Sequence, residues 1–357
     1  MAQSVLVTGA AGFIGSRVVR RLAADGVRVV ATDRVAPAAA DGPVVLGDLG
    51  EEPLFAALAS AGPFTAIVHL ATPPPRHDDV SLLDAGMVEA TSAVVRLLDL
   101  GRRQGAAMVF ASTALVYGTQ RAPFTEDLTP APTTPYACVK LAGELAIQYH
   151  GRRYGQPYTI LRPGVVYGPG QQGDMFVPSL VRALVAGARF PMTGGEQRRD
   201  FVFVDDLVEL VVRATAARLE AAVVNAGGGG VPLREVAELA EALAGTAGLL
   251  GVGEVPYREP EVWNYSLDAT RARALFEWSP TTRLADGLAA TIAAARRDSP
   301  RRAPPSVARA RAIRSHRRTG GARPDQASGG RRSAVSQNAG TRVAEDRFRP
   351  CWAWLPA

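Results

Sequence analysis

The stretch VLVTGAAGFIG, residues 5–15, limits the possible fold more than any other segment. An apolar, β-branched run leads straight into Gly9, Gly12 and Gly15, and SRVVRRLAADG then continues with helical spacing. Glycines in such a turn allow backbone N–H groups to come close to a pyrophosphate, and the helix N-terminus adds a favourable dipole. A mere packing turn is the plainer alternative. The strand before and the helix after favour the phosphate loop, and Phe13 and Ile14 are counted with it as cofactor-binding positions.

The same alternation repeats along the chain. VRVVATD, PVVLGDL, FTAIVHLA, AAMVFAST and YTILRP read as further strands, and helical patterns at 87–103 and 136–154 lie between some of them. Short apolar strands separated by helices predict an α/β fold with a doubly wound parallel sheet. From about residue 173 the pattern changes to smaller mixed elements. FVFVDDLVELVVRATA reads as a strand returning to the first lobe and then a helix, and VPLREVAELAEALAG as another helix. The expected division is a dinucleotide-binding domain from 1–172 and 201–229. A smaller, discontinuous α/β substrate lobe takes 173–200 and 230–297.

Residues 298–357 form a tail rich in Arg, Pro and Gly, a composition expected to stay disordered. From residue 299 onward it holds thirteen arginines against three carboxylates, a charge of +10, so the body carries −4 of the overall +6. A basic run can serve nucleic acid, but the tail has no interleaved aromatics before FRPCWAWLPA, and a solvated tail is preferred. Cys138 and Cys351 offer neither a disulfide framework nor metal spacing, which fits a reducing, cytoplasmic compartment and no metal. No signal peptide is expected from the first residues, and no apolar run is long enough to span a membrane.

Asp33 closes the second strand, where a carboxylate accepts ribose hydroxyls and repels a 2′-phosphate. It favours NAD over NADP, while the adjacent Arg34 pulls the other way. Asp48, followed by Leu49, either accepts the adenine amino group or caps the helix EEPLFAALAS. Leu70 and Ala71 end the fourth strand and would flank the cofactor, and His69 reads as a satisfied strand histidine.

TTPYACVKLAGELAIQYH begins with threonines suited to capping and a proline suited to a first turn. Tyr136 and Lys140 then fall one helical turn apart on one face. An ammonium beside a phenol is expected to lower the phenol pKa and make Tyr136 a usable base. A surface Tyr–Lys pair is the bland alternative. Composition argues against it: of forty basic Lys and Arg residues, Lys140 is the single lysine. In a chain so biased to arginine, its survival suggests a position that the broad guanidinium fork cannot fill.

TGAAGFIG, HLA, FASTALVYG, YACVK, LRPGVVYGPG and RDFVFVDDLVE, in this order, resemble the extended short-chain dehydrogenase/reductases. Within them they resemble the NAD-dependent nucleotide-sugar epimerase/dehydratase family, with a likeness to UDP-glucose 4-epimerases over residues 3–297. The resemblance implies a Rossmann domain with NAD and a Thr113–Tyr136–Lys140 triad. Tyr136 would be the acid/base, and Lys140 would bind the nicotinamide ribose and tune the tyrosine. Thr113 would hydrogen-bond the reacting hydroxyl, Ser112 would face the cofactor, and Pro163 would join the cofactor site.

For the substrate, the resemblance points to Val165, Phe176, Arg199 and Arg258, although many members carry Asn where this chain has Val165. Sugar dehydratases of the family carry acidic residues just after the Ser/Thr, where Ala114 and Leu115 stand here. A 4-epimerase or related sugar oxidoreductase is therefore expected, acting on a nucleotide sugar. The alternatives are an NAD(P)-dependent 4-keto-sugar reductase, an alcohol dehydrogenase on a non-sugar substrate, or a catalytically inactive NAD-binding sensor. The family also implies a homodimer through the helices at 87–103 and 136–154.

Overall fold

A computed structural model describes residues 3–38, 42–71, 81–257, 259 and 261–298. Arg258 and the tail beyond residue 298 lie outside the described residues. The first half alternates strictly after its opening strands. It runs β1 (Ser4–Thr8), α1 (Gly15–Ala24), β2 (Arg28–Asp33), β3 (Val44–Leu46), α2 (Glu52–Ala61), β4 (Ala66–His69), α3 (Ser81–Gln104) and β5 (Ala107–Ala111). A 3-10 turn, Ala114–Tyr117, leads to α4 (Pro135–Tyr154), β6 (Tyr158–Pro163) and β7 (Val165–Tyr167). The chain continues through α5 (Phe176–Ala186), β8 (Phe190–Met192), β9 (Arg198–Phe203), α6 (Val204–Ala217), β10 (Ala221–Ala226) and β11 (Gly230–Pro232). It then forms α7 (Leu233–Leu243), β12 (Leu250–Val252), β13 (Asn264–Tyr265), α8 (Thr270–Phe276) and α9 (Leu284–Asp298).

Seven strands form the main sheet in the order β10-β6-β5-β4-β1-β2-β3, and every pairing in it is parallel. Parallel strands must be covered on both faces, so they are apolar throughout rather than alternating. β1, β4 and β6 are buried along their whole length. On one face, Val18, Val19 and Leu22 of α1 pack with Leu207, Val208 and Val211 of α6 against Val5, Val7 and Val68. On the other, Leu54 and Leu58 of α2, Leu97 and Leu98 of α3 and Ile147 of α4 cover Leu6, Ile67 and Ile160. Strand order reverses between β1 and β4, and open sheets of this kind bind ligands at the carboxyl ends of the strands beside such a switch point.

β9 stands apart from this sheet. It pairs with β7 and β13 in parallel and with β11 antiparallel, and β8 pairs with β12. A third core, built from Leu180 and Leu184 of α5, Val236 and Ala240 of α7, and Leu288 and Ile292 of α9, packs with them. The return to the main sheet expected of the FVFVDD strand is made later, by α6 and then by β10 as the seventh strand. Its sequence, AAVVNA, is too small and short to stand out by pattern alone.

Candidate active site

The glycine loop is shaped by backbone contacts that leave no room for side chains. Gly9 has φ +70°, and a Cβ there would lie 2.7 Å from the Ala71 nitrogen. A Cβ on Gly15 would lie 2.0 Å from the Gly9 carbonyl oxygen. Leu70 and Ala71 thus sit directly against the loop at Gly9. Ile14 caps α1 without a side-chain hydrogen bond, and the first turn holds no acidic residue. That combination suits an anionic ligand at the helix start. Arg17, which the sequence did not single out, braces the loop by donating to the carbonyl oxygens of Phe13 (2.7 Å) and Pro169. Its guanidinium also lies 4.5 Å over the Phe13 ring.

Asp33, at the end of β2, accepts the Ala11 N–H through Oδ2 at 2.9 Å and the Arg34 N–H through Oδ1 at 2.7 Å. The carboxylate therefore ties the glycine loop to the end of β2. Arg34 is mostly exposed and approaches Asp48 at 3.6 Å. The helix-capping alternative for Asp48 does not hold, because Glu51 occupies the cap of α2 and Asp48 accepts the Gly50 N–H at 2.7 Å. Leu49 packs against the core beneath. His69 is a satisfied strand histidine, its Nδ1 2.7 Å from the Thr8 hydroxyl. Burial and the Lys140 charge depress it to about 3.

Thr134 caps α4 by accepting the Ala137 N–H at 3.2 Å, and Pro135 occupies the first turn. This fixes the start of the helix one residue before Tyr136. Lys140, 3 % exposed, points back to the sheet and donates to the Ala111 carbonyl at 2.6 Å. Its Nζ lies 4.9 Å from the Phe110 ring centroid and 5.8 Å from that of Tyr136. Thr113 stands two residues beyond β5 and caps the 3-10 turn, its Oγ1 accepting the Leu115 N–H at 3.2 Å. The expected triad thus lies on the end of β5 and the first turns of α4, with Lys140 between sheet and tyrosine.

The electrostatics differ from the sequence expectation. Burial pushes the Tyr136 phenol up to about 12, and burial pulls Lys140 down to about 7, with Glu144 partly offsetting the loss. The ammonium was expected to lower the phenol. It does not prevail because desolvation disfavours the charged form of both groups at once.

Three other positions also differ from expectation. Ser112, expected to face the cofactor, turns its hydroxyl to Glu144. Glu144 is fully buried and receives Arg162 through Nε at 3.0 Å and Nη2 at 2.6 Å. Arg199, expected at a diphosphate, is held by Glu261 at 2.7 Å and by the Val262 carbonyl at 2.8 Å. Burial pulls its guanidinium below the ordinary value. Phe176 packs in the third core against Phe190, because α5 turns its apolar face inward. Val165 is half-buried on β7 opposite Phe201, and Pro163 ends β6 opposite Ala226.

A seven-stranded, doubly wound sheet with this loop at its switch point defines a dinucleotide-binding enzyme of the Rossmann kind. The pattern described as "NAD dependent epimerase/dehydratase family" matches residues 5–227. UDP-glucose 4-epimerase of Mycolicibacterium smegmatis is 36% identical over 311 residues, covering 80% of this chain and 96% of the relative. dTDP-glucose 4,6-dehydratase of Streptomyces griseus is 33% identical over 316 residues, covering 82% and 94%. Among solved structures, UDP-glucose 4-epimerase of Thermotoga maritima with UDP-glucose has a TM-score of 0.76 at 27% identity, covering 83% of this chain and 99% of that one. MoeE5 in complex with UDP-glucuronic acid and NAD has a TM-score of 0.75 at 33% identity, covering 83% and 100%. The chain belongs to the NAD-dependent epimerase/dehydratase family and is an enzyme of the isomerase or oxidoreductase kind, with NAD as its cofactor. Among the described residues, no helix is long and apolar enough to cross a membrane.

Proposed function

We propose that the protein is a nucleotide-sugar 4-epimerase, or a closely related sugar oxidoreductase, working through Thr113, Tyr136 and Lys140. The observation that carries this reading is the turn after Thr113. Ala114 and Leu115 occupy it, and neither side chain can move a proton, so elimination of water at C5 and C6 has no general acid or base there. Chemistry at one carbon remains. NAD, when bound, supplies the hydride acceptor and a cationic ring that favours the phenolate. Tyr136 takes the proton of the C4 hydroxyl as hydride leaves that carbon, and it returns the proton when hydride comes back to the opposite face. Thr113 hydrogen-bonds the same hydroxyl, and Lys140 holds the tyrosine through its charge. The relatives include a 4,6-dehydratase, so the dehydratase reading is the one the turn disfavours.

A nucleotide sugar fits the ligands named for similar structures, UDP-glucose and UDP-glucuronic acid. The lobe built on β9 is the proposed substrate side, including Val165. Arg199 joins it only if its pairing with Glu261 is exchanged for phosphate. A homodimer is supported by Val88 and Val95 on α3 and Leu145 and Tyr149 on α4, four apolar side chains left exposed at helical spacing. Sedimentation checks it.

The function is tested by incubating the protein with UDP-, dTDP- and GDP-sugars, reading products by NMR and following NADH absorbance. Epimer formed without net NADH supports the reading. Stoichiometric NADH consumption or production establishes the reductase or dehydrogenase alternative instead. Tyr136→Phe should reduce turnover by at least ~10²-fold, the order of one general acid/base, while bound NAD is retained. Full turnover in that variant would refute the mechanism.

A further inference from the structure

A buried charge sits next to the triad without belonging to it. Glu144 lies four residues beyond Lys140 and eight beyond Tyr136 on α4, so all three fall along one side of the helix. Its carboxylate is completely buried, and Arg162, on β6, is 3 % exposed. A buried ion pair gives little stability over an apolar pair of the same volume, because both ions lose their water. Apart from Lys140 and Ser112, the neighbouring part of this interface between α4 and the sheet is apolar, with Ile147, Phe110 and Ile160. The pair is therefore poorly explained by stability alone.

Its partners show what it holds. Lys140 Nζ donates to the carbonyl of Ala111 at 2.6 Å, and the hydroxyl of Ser112, the next residue, donates to Glu144 Oε1. Successive turns of α4 thus grip Ala111, the last residue of β5, and Ser112 beyond it, and Thr113 comes next. Arg162 Nη1 donates to the Tyr117 hydroxyl at 3.0 Å, and that hydroxyl donates to Asn225 Oδ1 of β10 at 2.7 Å. Tyr117 closes the short turn that Thr113 opens. The Thr113 segment is consequently fixed on both sides, from Ala111 and Ser112 before it and from Tyr117 after it. Glu144 joins the Ser112 tie to the Tyr117 tie, the latter through Arg162.

We propose that Glu144 is a positioning residue for the hydride chemistry of this site, holding the end of β5 to α4 so that Thr113 keeps one geometry relative to Tyr136 and Lys140. The proposal rests on the Thr113–Tyr136–Lys140 reading given above. It also gives Glu144 an electrostatic role. The titratable groups around Lys140 are His69 from β4, and Tyr136 and Glu144 from α4, with Arg162 of β6 and Tyr117 behind Glu144. His69 is neutral where it is buried, and Glu144 is the anion that raises Lys140.

The chain contains one lysine, so lysine labelled with carbon-13 at Cε reports Lys140 alone. In the full, NAD-loaded protein, Glu144→Gln should lower the proton affinity of that lysine about tenfold, the order expected for losing an anion one helical turn away. Ser112→Ala, which leaves the ion pair intact, should leave the lysine midpoint in place and lower kcat about tenfold without changing KM, the loss expected from a loosened reacting geometry. An unmoved midpoint in Glu144→Gln, or an unchanged kcat in Ser112→Ala, overturns the proposal. If Glu144→Gln does not fold, the kcat–KM split of Ser112→Ala decides alone. If the wild-type chain turns over no nucleotide sugar, the functional reading has failed instead, and the lysine midpoint still shows whether Glu144 acts on Lys140.

Discussion

Lys140 should make this protein more stable as pH rises, and replacing it should abolish that dependence. In the unfolded chain a lysine holds its proton up to about 10.5, whereas in the folded protein burial pulls Lys140 down to about 7. Between these values the unfolded state binds more protons, so raising the pH favours the folded state. Below pH 7 both states are protonated, and the cost of the buried cation is present in full. The slope approaches about 1.4 kcal/mol per pH unit. Integrated from pH 7 to pH 9, the relief is about 2 kcal/mol. Arginine could not obtain it, since a guanidinium does not release its proton. The assay is urea unfolding of NAD-free protein at several pH values, comparing wild type with Lys140→Met. No other lysine exists to titrate in this window, so the difference between the two curves isolates this side chain. A difference that stays flat from pH 7 to pH 9 would show that Lys140 is not desolvated as its burial implies, and the reasoning would fail.

Two further outcomes test the cofactor side. Gly15→Ala places a methyl group 2.0 Å from the Gly9 oxygen, so the loop must move by about an ångström, and NAD affinity measured by calorimetry should fall by roughly 10²-fold. Asp33→Ala removes the acceptor of the Ala11 N–H and the carboxylate expected to repel a 2′-phosphate. NAD binding should weaken by at least about tenfold while NADP binding weakens less, and equal losses for both would remove Asp33 from discrimination.

Much of the site was legible because it is written in local spacing. Gly9, Gly12 and Gly15 mark a phosphate-loop turn because an apolar strand pattern precedes them and a helical pattern follows. Tyr136 and Lys140 share a helical face by periodicity alone, and the Thr134 cap sets where that helix begins. Asp33 could be placed because β2 ends there. The signal that Glu144 mattered was also present, one turn past Lys140, but spacing gave it no partner.

The sequence by itself determined the alternation of strands and helices, the phosphate loop, and which residues occupy the first turns of α4. These follow from backbone sterics and periodicity within a few residues. Tertiary structure decided the rest. It brought Arg162 to Glu144 from 18 residues away and Asn225 to Tyr117 from 108. It also made β10 the seventh strand and closed Arg199 onto Glu261. Above all it set the charge states of Tyr136 and Lys140. A nearby ammonium lowers a phenol in water, but here the surrounding sheet removes the water from both, and desolvation depends on what packs around a side chain rather than on its neighbours in sequence.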